Sequence, residues 1–415
     1  MGKVYAVIDL KSFYASVECA NRGLDPFKTP LAVCDEARGE GALIMAVTPY
    51  LKKLGLKNIM RKFDVPKNIE IIYAKPNMED YVRKSTEFNA LLLNYFAEED
   101  WYPYSIDETF LHLTPYLELY KKTPEQLIEF IMDEIKAHFQ LYVTVGIAPN
   151  MFLAKCALDL EAKNNPKSYA RWTIDDVKEK LWKIKPLNKI WGIGSGYTRR
   201  LNKLGLYTME DIAKYPKYLM EKHFGIMGLQ LWEHAHGIDN TILNEPYVPK
   251  NRSFTSGQVL HRDYSLKEAH VLMQEMTDEL CLRLRNHNLK AGKVALTVLT
   301  SKPESKSYSK SMSLLLPSNG NTELFHAFSE VLSRFELKTK IRSLHLSLSN
   351  LTENTHEQLS LIAAYLGQNT KDTKLWSTID DLRMRFGKDK IMRANALTTA
   401  STYLKRIKQI GGHNK

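Results

Sequence analysis

The chain begins with an apolar, β-branched run, VYAVIDL (residues 4–10), that reads as a buried strand ending at Asp9. KSFYASVECANRG follows with Phe13 and Val17 at helical spacing and stops near Gly23. PLAVCD and ALIMAV read as short strands, PYLKKLGL as a short helix and IEIIYA as another strand. Residues 78–97 carry Tyr81, Phe88, Leu91, Leu92 and Tyr95 on one side, the pattern of a long amphipathic helix. The run YPYSIDETFLHL has the make-up of a half-buried strand. PEQLIEFIMDEIKAHFQ is a second amphipathic helix, YVTVGIA a strand and NMFLAKCALDLEAK a helix. Strands and helices intermix to residue 170, which predicts an α/β or α+β domain.

Residues 171–240 read as mostly helical. EPYVPKNRSFTS, with two prolines and no apolar period, reads as a linker. Beyond it the order is strand GQVLHRDY, helix 265–286, strands KVALTVLT and KSMSLLL, helix 322–335 and strand IRSLHLSLSNL. This βαββαβ order is the ferredoxin-like split unit. After Leu351 the periodicity weakens, and a tail with short helices and no core is expected.

Charge changes the picture more than composition does. The net charge is +11, with 25 % charged and 44 % hydrophobic residues, an ordinary globular make-up. Residues 1–170 hold 20 Lys and Arg against 23 Asp and Glu, and residues 171–415 hold 38 against 24. A basic body behind a slightly acidic front fits a polyanion held at the back and acted on at the front. No run reaches the length of a membrane span and no signal-peptide pattern precedes the first strand, so no membrane partner and a cytoplasmic, nucleoid-associated location are expected. Cys19, Cys34, Cys156 and Cys281 are scattered, which favours free thiols over a zinc site.

Three carboxylates stand out in the front domain. Asp9 closes the first strand, and an Asp at a strand end is equally at home as a turn former or helix cap. Adjacent Asp107 and Glu108 in an apolar stretch are rarer, because paired charges beside a core are costly without compensation. Strand side chains alternate faces, so both reach one spot only if the backbone turns there. Hard oxygen ligands suit Mg²⁺, and two such ions can activate a 3′-hydroxyl and stabilise a departing pyrophosphate.

VIDLKSFYASVE, YSIDETFLHL and VTVGIAPNMFLAKCALDLEAK together resemble the Y-family translesion DNA polymerases. The closer likeness is to the UmuC-like (ImpB/MucB/SamB) branch of Gram-positive bacteria, their plasmids and phages. The resemblance runs over essentially the whole chain. It implies an α+β right-hand polymerase: a ferredoxin-like palm (1–25 and 75–170), small fingers (26–74) and a helical thumb with a helix-hairpin-helix (171–243). A linker (244–256), a little finger (257–351) and a C-terminal tail (352–415) complete the expected plan.

The resemblance also implies roles. Asp9, Asp107, Glu108 and the Leu10 backbone carbonyl would hold two Mg²⁺ ions. Phe13 and Tyr14 match the aromatic pair beside the incoming nucleotide, with Tyr14 as the steric gate beneath its sugar. Lys52 and Lys163 match triphosphate contacts. Pro49, with Tyr50 beside it, stands where many members have a fingers tyrosine. Gly192, Gly194 and Gly196 would form the hairpin turn that meets a DNA phosphate, followed by Arg199, Arg200 and Lys203. Gln358, Leu359, Ser360, Leu361 and Ile362 resemble the peptide that docks on the bacterial sliding clamp, with Ile in place of the commoner Phe. The implied partners are primer-template DNA, dNTP and the clamp, with room for SOS accessory proteins. The implied activity is low-fidelity, low-processivity synthesis across lesions. Two other readings fit parts of the chain: a nucleotidyl cyclase on a similar palm, and a non-catalytic DNA-binding regulator that keeps the fold.

Overall fold

The computed structural model describes residues 2–245, 249, 251–337, 339–354 and 370–414. The chain divides into two compact units, residues 1–246 with 413–415 and residues 247–412.

In the first unit, β1 (Tyr5–Leu10) is central to a five-stranded sheet with β6 (Trp101–Pro103), β7 (Glu108–His112), β8 (Val143–Ala148) and β9 (Tyr169–Arg171). The order is β6-β7-β1-β8-β9, with β1 antiparallel to both β7 and β8. Every residue of β8 is buried, including Thr144 in an otherwise apolar run, as befits a covered central strand. A second sheet joins β2 (Leu31–Cys34), β3 (Leu43–Val47), β4 (Met60–Arg61) and β5 (Ile72–Ala74) around a small core of its own that includes Cys34, Ile44, Val47 and Leu51.

The helices of this unit begin with α1 (Phe13–Ala20), α2 (Pro49–Lys53), α3 (Met78–Leu92), α4 (Thr114–Leu119), α5 (Pro124–Phe139) and α6 (Met151–Leu160). The α3 helix stops short of the expected Ala97, because Asn94 and Tyr95 bond three residues back and tighten its end into turns. The α5 start follows the pattern of its sequence: Thr123 caps it in a reciprocal box with Gln126, and Pro124 stands at the first helical position. Residues 151–158 of α6 are all buried. The helix lies directly on β8 because position 146 is glycine: a Cβ there would stand 2.0 Å from the Ala154 carbonyl oxygen and 2.5 Å from the Leu158 nitrogen. The core around α6 continues into the helices α7 (Asp176–Glu179), α8 (Ser195–Lys203), α9 (Met209–Lys214), α10 (Lys217–Phe224) and α11 (Ile226–Ala235).

The second unit contains β10 (Phe254–Tyr264), α12 (Leu266–Asn286), β11 (Leu289–Thr300), β12 (Ser307–Ser318), α13 (Asn321–Ser333) and β13 (Ile341–Glu353). Its antiparallel sheet runs β10-β13-β11-β12, the split βαββαβ arrangement, over a core of Leu, Met, Phe and Val side chains. The tail differs from its expectation. Residues Thr370–Phe386 form one long helix, α14, with Trp376 and Asp380 buried. Arg285 on α12 donates to Asp380 at 2.6 Å, and Arg393 pairs with Asp278 at 2.7 and 3.1 Å. The Arg393 guanidinium lies 4.5 Å from the Trp376 ring centre. Among the described residues, these charged pairs dock the segment together with the buried Trp376, a pattern that hydrophobic periodicity does not reveal.

Candidate active site

The first strand delivers its carboxylate at a sharp change of direction. After Leu10 the backbone enters the left-handed region at Ser12 (φ 52°), then winds into α1. The Lys11 carbonyl accepts from Ser16 Oγ at 2.6 Å and so holds the turn. Phe13 is buried, whereas Tyr14 is half-exposed one position later.

The stretch read as one strand is a hairpin. The Tyr104 and Ser105 amides both donate to the Glu108 carbonyl, at 2.9 and 3.0 Å, so residues 104–107 form the turn between β6 and β7. Glu108 opens β7 directly opposite Asp9 in the antiparallel register. Side chains so paired stand on one face within contact range. The Leu10 amide donates to the Asp107 carbonyl at 2.9 Å, which seats the turn against the end of β1. The Asp107 carboxylate itself accepts from Ser105 Oγ at 2.8 Å.

Positive charge comes from α6 and the turn after it. Lys155 is 4 % exposed, and its Nζ donates to Glu108 Oε1 at 2.5 Å and lies 3.3 Å from Asp159 Oδ2. Lys163 Nζ lies 3.3 Å from Asp9 Oδ2 and 2.7 Å from Asp159 Oδ1. Lys155, Asp159 and Lys163 thus form an alternating ladder at four-residue intervals beside the two facing carboxylates. Lys155 and Asp159 were not among the sequence candidates. The signal was present, since charges spaced by four in an otherwise apolar helix share one face.

Crowding shows in the proton affinities. Burial pushes the Asp9 carboxyl up to about 7; Lys163 opposes the shift, and a hydrogen bond and repulsion from Glu108 add to it. Burial also raises Asp107, against the Ser105 hydrogen bond. For Lys163, burial disfavours the ammonium, but Asp9 and Asp159 outweigh it and hold the proton more tightly than usual. Lys11 and Lys52 are lowered by desolvation, against the attraction of Asp9. Among the described residues, no three His, Cys, Asp or Glu side chains close into a cage for a metal ion. The donor chemistry nevertheless suits a divalent cation: Asp9 and Glu108 are hard oxygen donors paired across β1 and β7, with Lys155 and Lys163 beside them.

The remaining candidates spread over several elements. Lys52 lies exposed on α2, whose first turn is capped by Thr48. Pro49 is buried and Tyr50 packs against the core of the small sheet. In the glycine turn, Gly192 is left-handed (φ 85°), Gly194 caps α8, and the space beside Gly194 and Gly196 is open. Arg199 and Lys203 are exposed on α8. Arg200 instead donates to the His223 carbonyl at 2.5 Å and lies 4.5 Å from the Phe224 ring centre, committed to α10. Gln358, Leu359, Ser360, Leu361 and Ile362 fall outside the described residues.

Three family models match: the impB/mucB/samB family over residues 8–159, its C-terminal domain over 251–361 and the IMS family HHH motif over 175–206. The chain is 37 % identical over 409 residues to UvrX of Bacillus subtilis (strain 168), a protein named for UV-damage repair, covering 98 % of this chain and 96 % of that one. It is 31 % identical over 422 residues to "DNA polymerase IV 2" of the same organism, covering 100 % and 99 %. A solved structure, a Y-family DNA polymerase chimera Dbh-Dpo4(243-245)-Dbh, matches with a TM-score of 0.66 over 85 % of this chain and 100 % of its own. At 23 % identity that likeness carries the fold.

Proposed function

The chain belongs to the impB/mucB/samB, UmuC-like branch of the Y-family DNA polymerases, and from that membership we propose that it is a DNA-directed DNA polymerase that extends primers across damaged template. One observation supports this reading most: Asp9 and Glu108 face each other across β1 and β7, with Asp107 on the adjoining turn and lysines on one side.

Asp9, Asp107, Glu108 and the Leu10 carbonyl are the groups that would hold two Mg²⁺ ions, which supply 3′-hydroxyl activation and stabilisation of the pyrophosphate oxygen when bound. Lys52 and Lys163 offer point charges to the triphosphate, and Lys155 holds Glu108 in place. Tyr14 sits beneath the sugar as a steric gate, with Phe13 buried behind it. The Gly192–Gly196 turn and the first amides of α8 donate to a DNA phosphate without reading sequence, and Arg199 and Lys203 add charge. The second unit grips the duplex as a little finger.

Residues 1–25 and 75–170 act as palm, 26–74 as fingers and 171–243 as thumb. Low fidelity and low processivity follow from the small fingers. Gln358–Ile362 is assigned to the sliding clamp, and SOS-linked mutagenesis is the physiological setting.

Primer extension with Mg²⁺ and dNTPs tests the reading. Purified protein is expected to add nucleotides opposite a defined lesion, and Asp107→Ala to abolish the addition. A protein that extends no primer, or an Asp107→Ala variant as active as the parent, would overturn it. Deleting 358–362 is expected to remove stimulation by the clamp while basal extension persists.

A further inference from the structure

The ring of Tyr14 is not held by α1 alone. It stacks on Tyr81 of α3, with centroids 4.5 Å apart and planes 16° from parallel. Phe13 leans on the same ring at 6.4 Å. Tyr81 is 0 % exposed, so solvent never reaches the face opposite the stack. Its hydroxyl donates to Glu18 Oε1 at 2.7 Å. Glu18 is itself buried on α1, one helical turn beyond Tyr14, and pairs with Arg22. A second tie lies beside the first: Asn21 Nδ2 donates to Asp80 Oδ2 at 2.7 Å. The two bonds fasten neighbouring residues of α3 to the last turn of α1 and to Asn21, which caps it.

These contacts make Tyr81 a plate that cannot recede. A phenol bonded to a buried carboxylate is costly to displace, since displacement leaves the Oε1 of Glu18 without its donor, Arg22 being bonded to the other oxygen. Close-packed interiors also give a flat ring no slack. Tyr14 therefore cannot retreat toward α3.

We infer that Tyr81, anchored by Glu18, is a positioning residue that sets how strictly this polymerase excludes ribonucleotides, by denying the Tyr14 ring room to withdraw from the sugar. The inference rests on the reading of Tyr14 as steric gate and extends it to a residue that touches no substrate.

The test compares kcat/KM for dNTP and rNTP on one primer-template, because general damage to the enzyme lowers both and leaves their ratio in place. Tyr81→Met refills most of the volume with a deformable chain, and Tyr81→Leu is the second variant should the first fold poorly. Both are expected to lower the dNTP-to-rNTP ratio roughly tenfold, the scale of a pocket contact changed by a methylene or two. Tyr81→Phe keeps the ring but removes its bond to Glu18 and is expected to lower the ratio by a smaller factor, about threefold; a parental ratio would show that Glu18 does not anchor the ring. Tyr14→Ala serves as reference and is expected to admit ribonucleotides outright. If Tyr14→Ala collapses the ratio while Tyr81→Met and Tyr81→Leu leave it unchanged, the inference is wrong and the gate reading stands. If Tyr14→Ala leaves the ratio unchanged, the gate reading itself fails.

Discussion

At the residue scale, Lys155 shows how a buried charge is tolerated. Its ammonium and the Glu108 carboxylate satisfy one another at 2.5 Å, with Asp159 as the second acceptor. Removing one member of a buried pair leaves the other without compensation. Lys155→Met is expected to cost about 3 kcal/mol of stability, at the low end for buried pairs because Glu108 keeps some solvent contact. Urea unfolding measures it, and an unchanged midpoint would show that the pair carries no weight. The same reasoning separates the two arginines that follow the glycine turn. Arg200 is bonded to His223 and lies over Phe224, so Arg200→Ala is expected to loosen the packing of α8 on α10. Arg199→Ala removes an exposed charge and should leave the melting temperature nearly unchanged.

At the scale of elements, the seating of α6 on β8 decides where Lys155 and Asp159 stand. Any side chain at position 146 meets backbone atoms of α6, which cannot rotate aside, so the whole helix must lift. Gly146→Ala is expected to cost at least about 1–3 kcal/mol, the usual range for overpacking, and to slow primer extension by shifting Lys155 away from Glu108. A variant with parental stability and rate would show that α6 is not held by that contact. The start of α12 provides a pH test. Glu268 accepts from the Ser265 amide in a capping box and from Arg262, and the Arg262 bond is the main cause that lowers its carboxyl to about 2. A carboxyl that is more acidic folded than unfolded stabilises the fold above its unfolded value. That contribution fades as pH falls from about 4.5 toward about 2. Glu268→Gln is expected to lower the melting temperature slightly at neutral pH and to flatten its decline across that window, an effect kept small by solvent screening.

At the scale of the molecule, 38 Lys and Arg against 24 Asp and Glu lie behind residue 170. DNA binding is therefore expected to weaken steeply with salt, each neutralised phosphate contributing about 0.9 to the slope of log K against log salt. Arg199→Ala and Lys203→Ala should each reduce that slope by about one and weaken all sequences alike, whereas Arg200→Ala should leave it in place. Fluorescence anisotropy over a salt series checks both. A parent slope near zero would remove the electrostatic grip altogether.

Much of this protein was legible in its sequence. Largely apolar, β-branched runs marked the central strands, helical spacing marked α3, α5 and α12, and the split βαββαβ order of the second unit could be read directly. Adjacent Asp107 and Glu108 required a turn, because a regular strand would send them to opposite faces, and the chain makes that turn as a hairpin. The extent of α14 and its attachment were not legible, since an ion pair such as Arg285 with Asp380 joins residues 95 apart and leaves no periodic trace. Lys155 left a local trace in its four-residue spacing from Asp159, but its partner across the sheet left none. Periodicity reports which side of an element meets a core, and local spacing reports which residues share that side. Which charge answers Glu108, and which ring backs Tyr14, depends on contacts between distant segments. Only the packing of α6 on β8, and of α3 on α1, decided those.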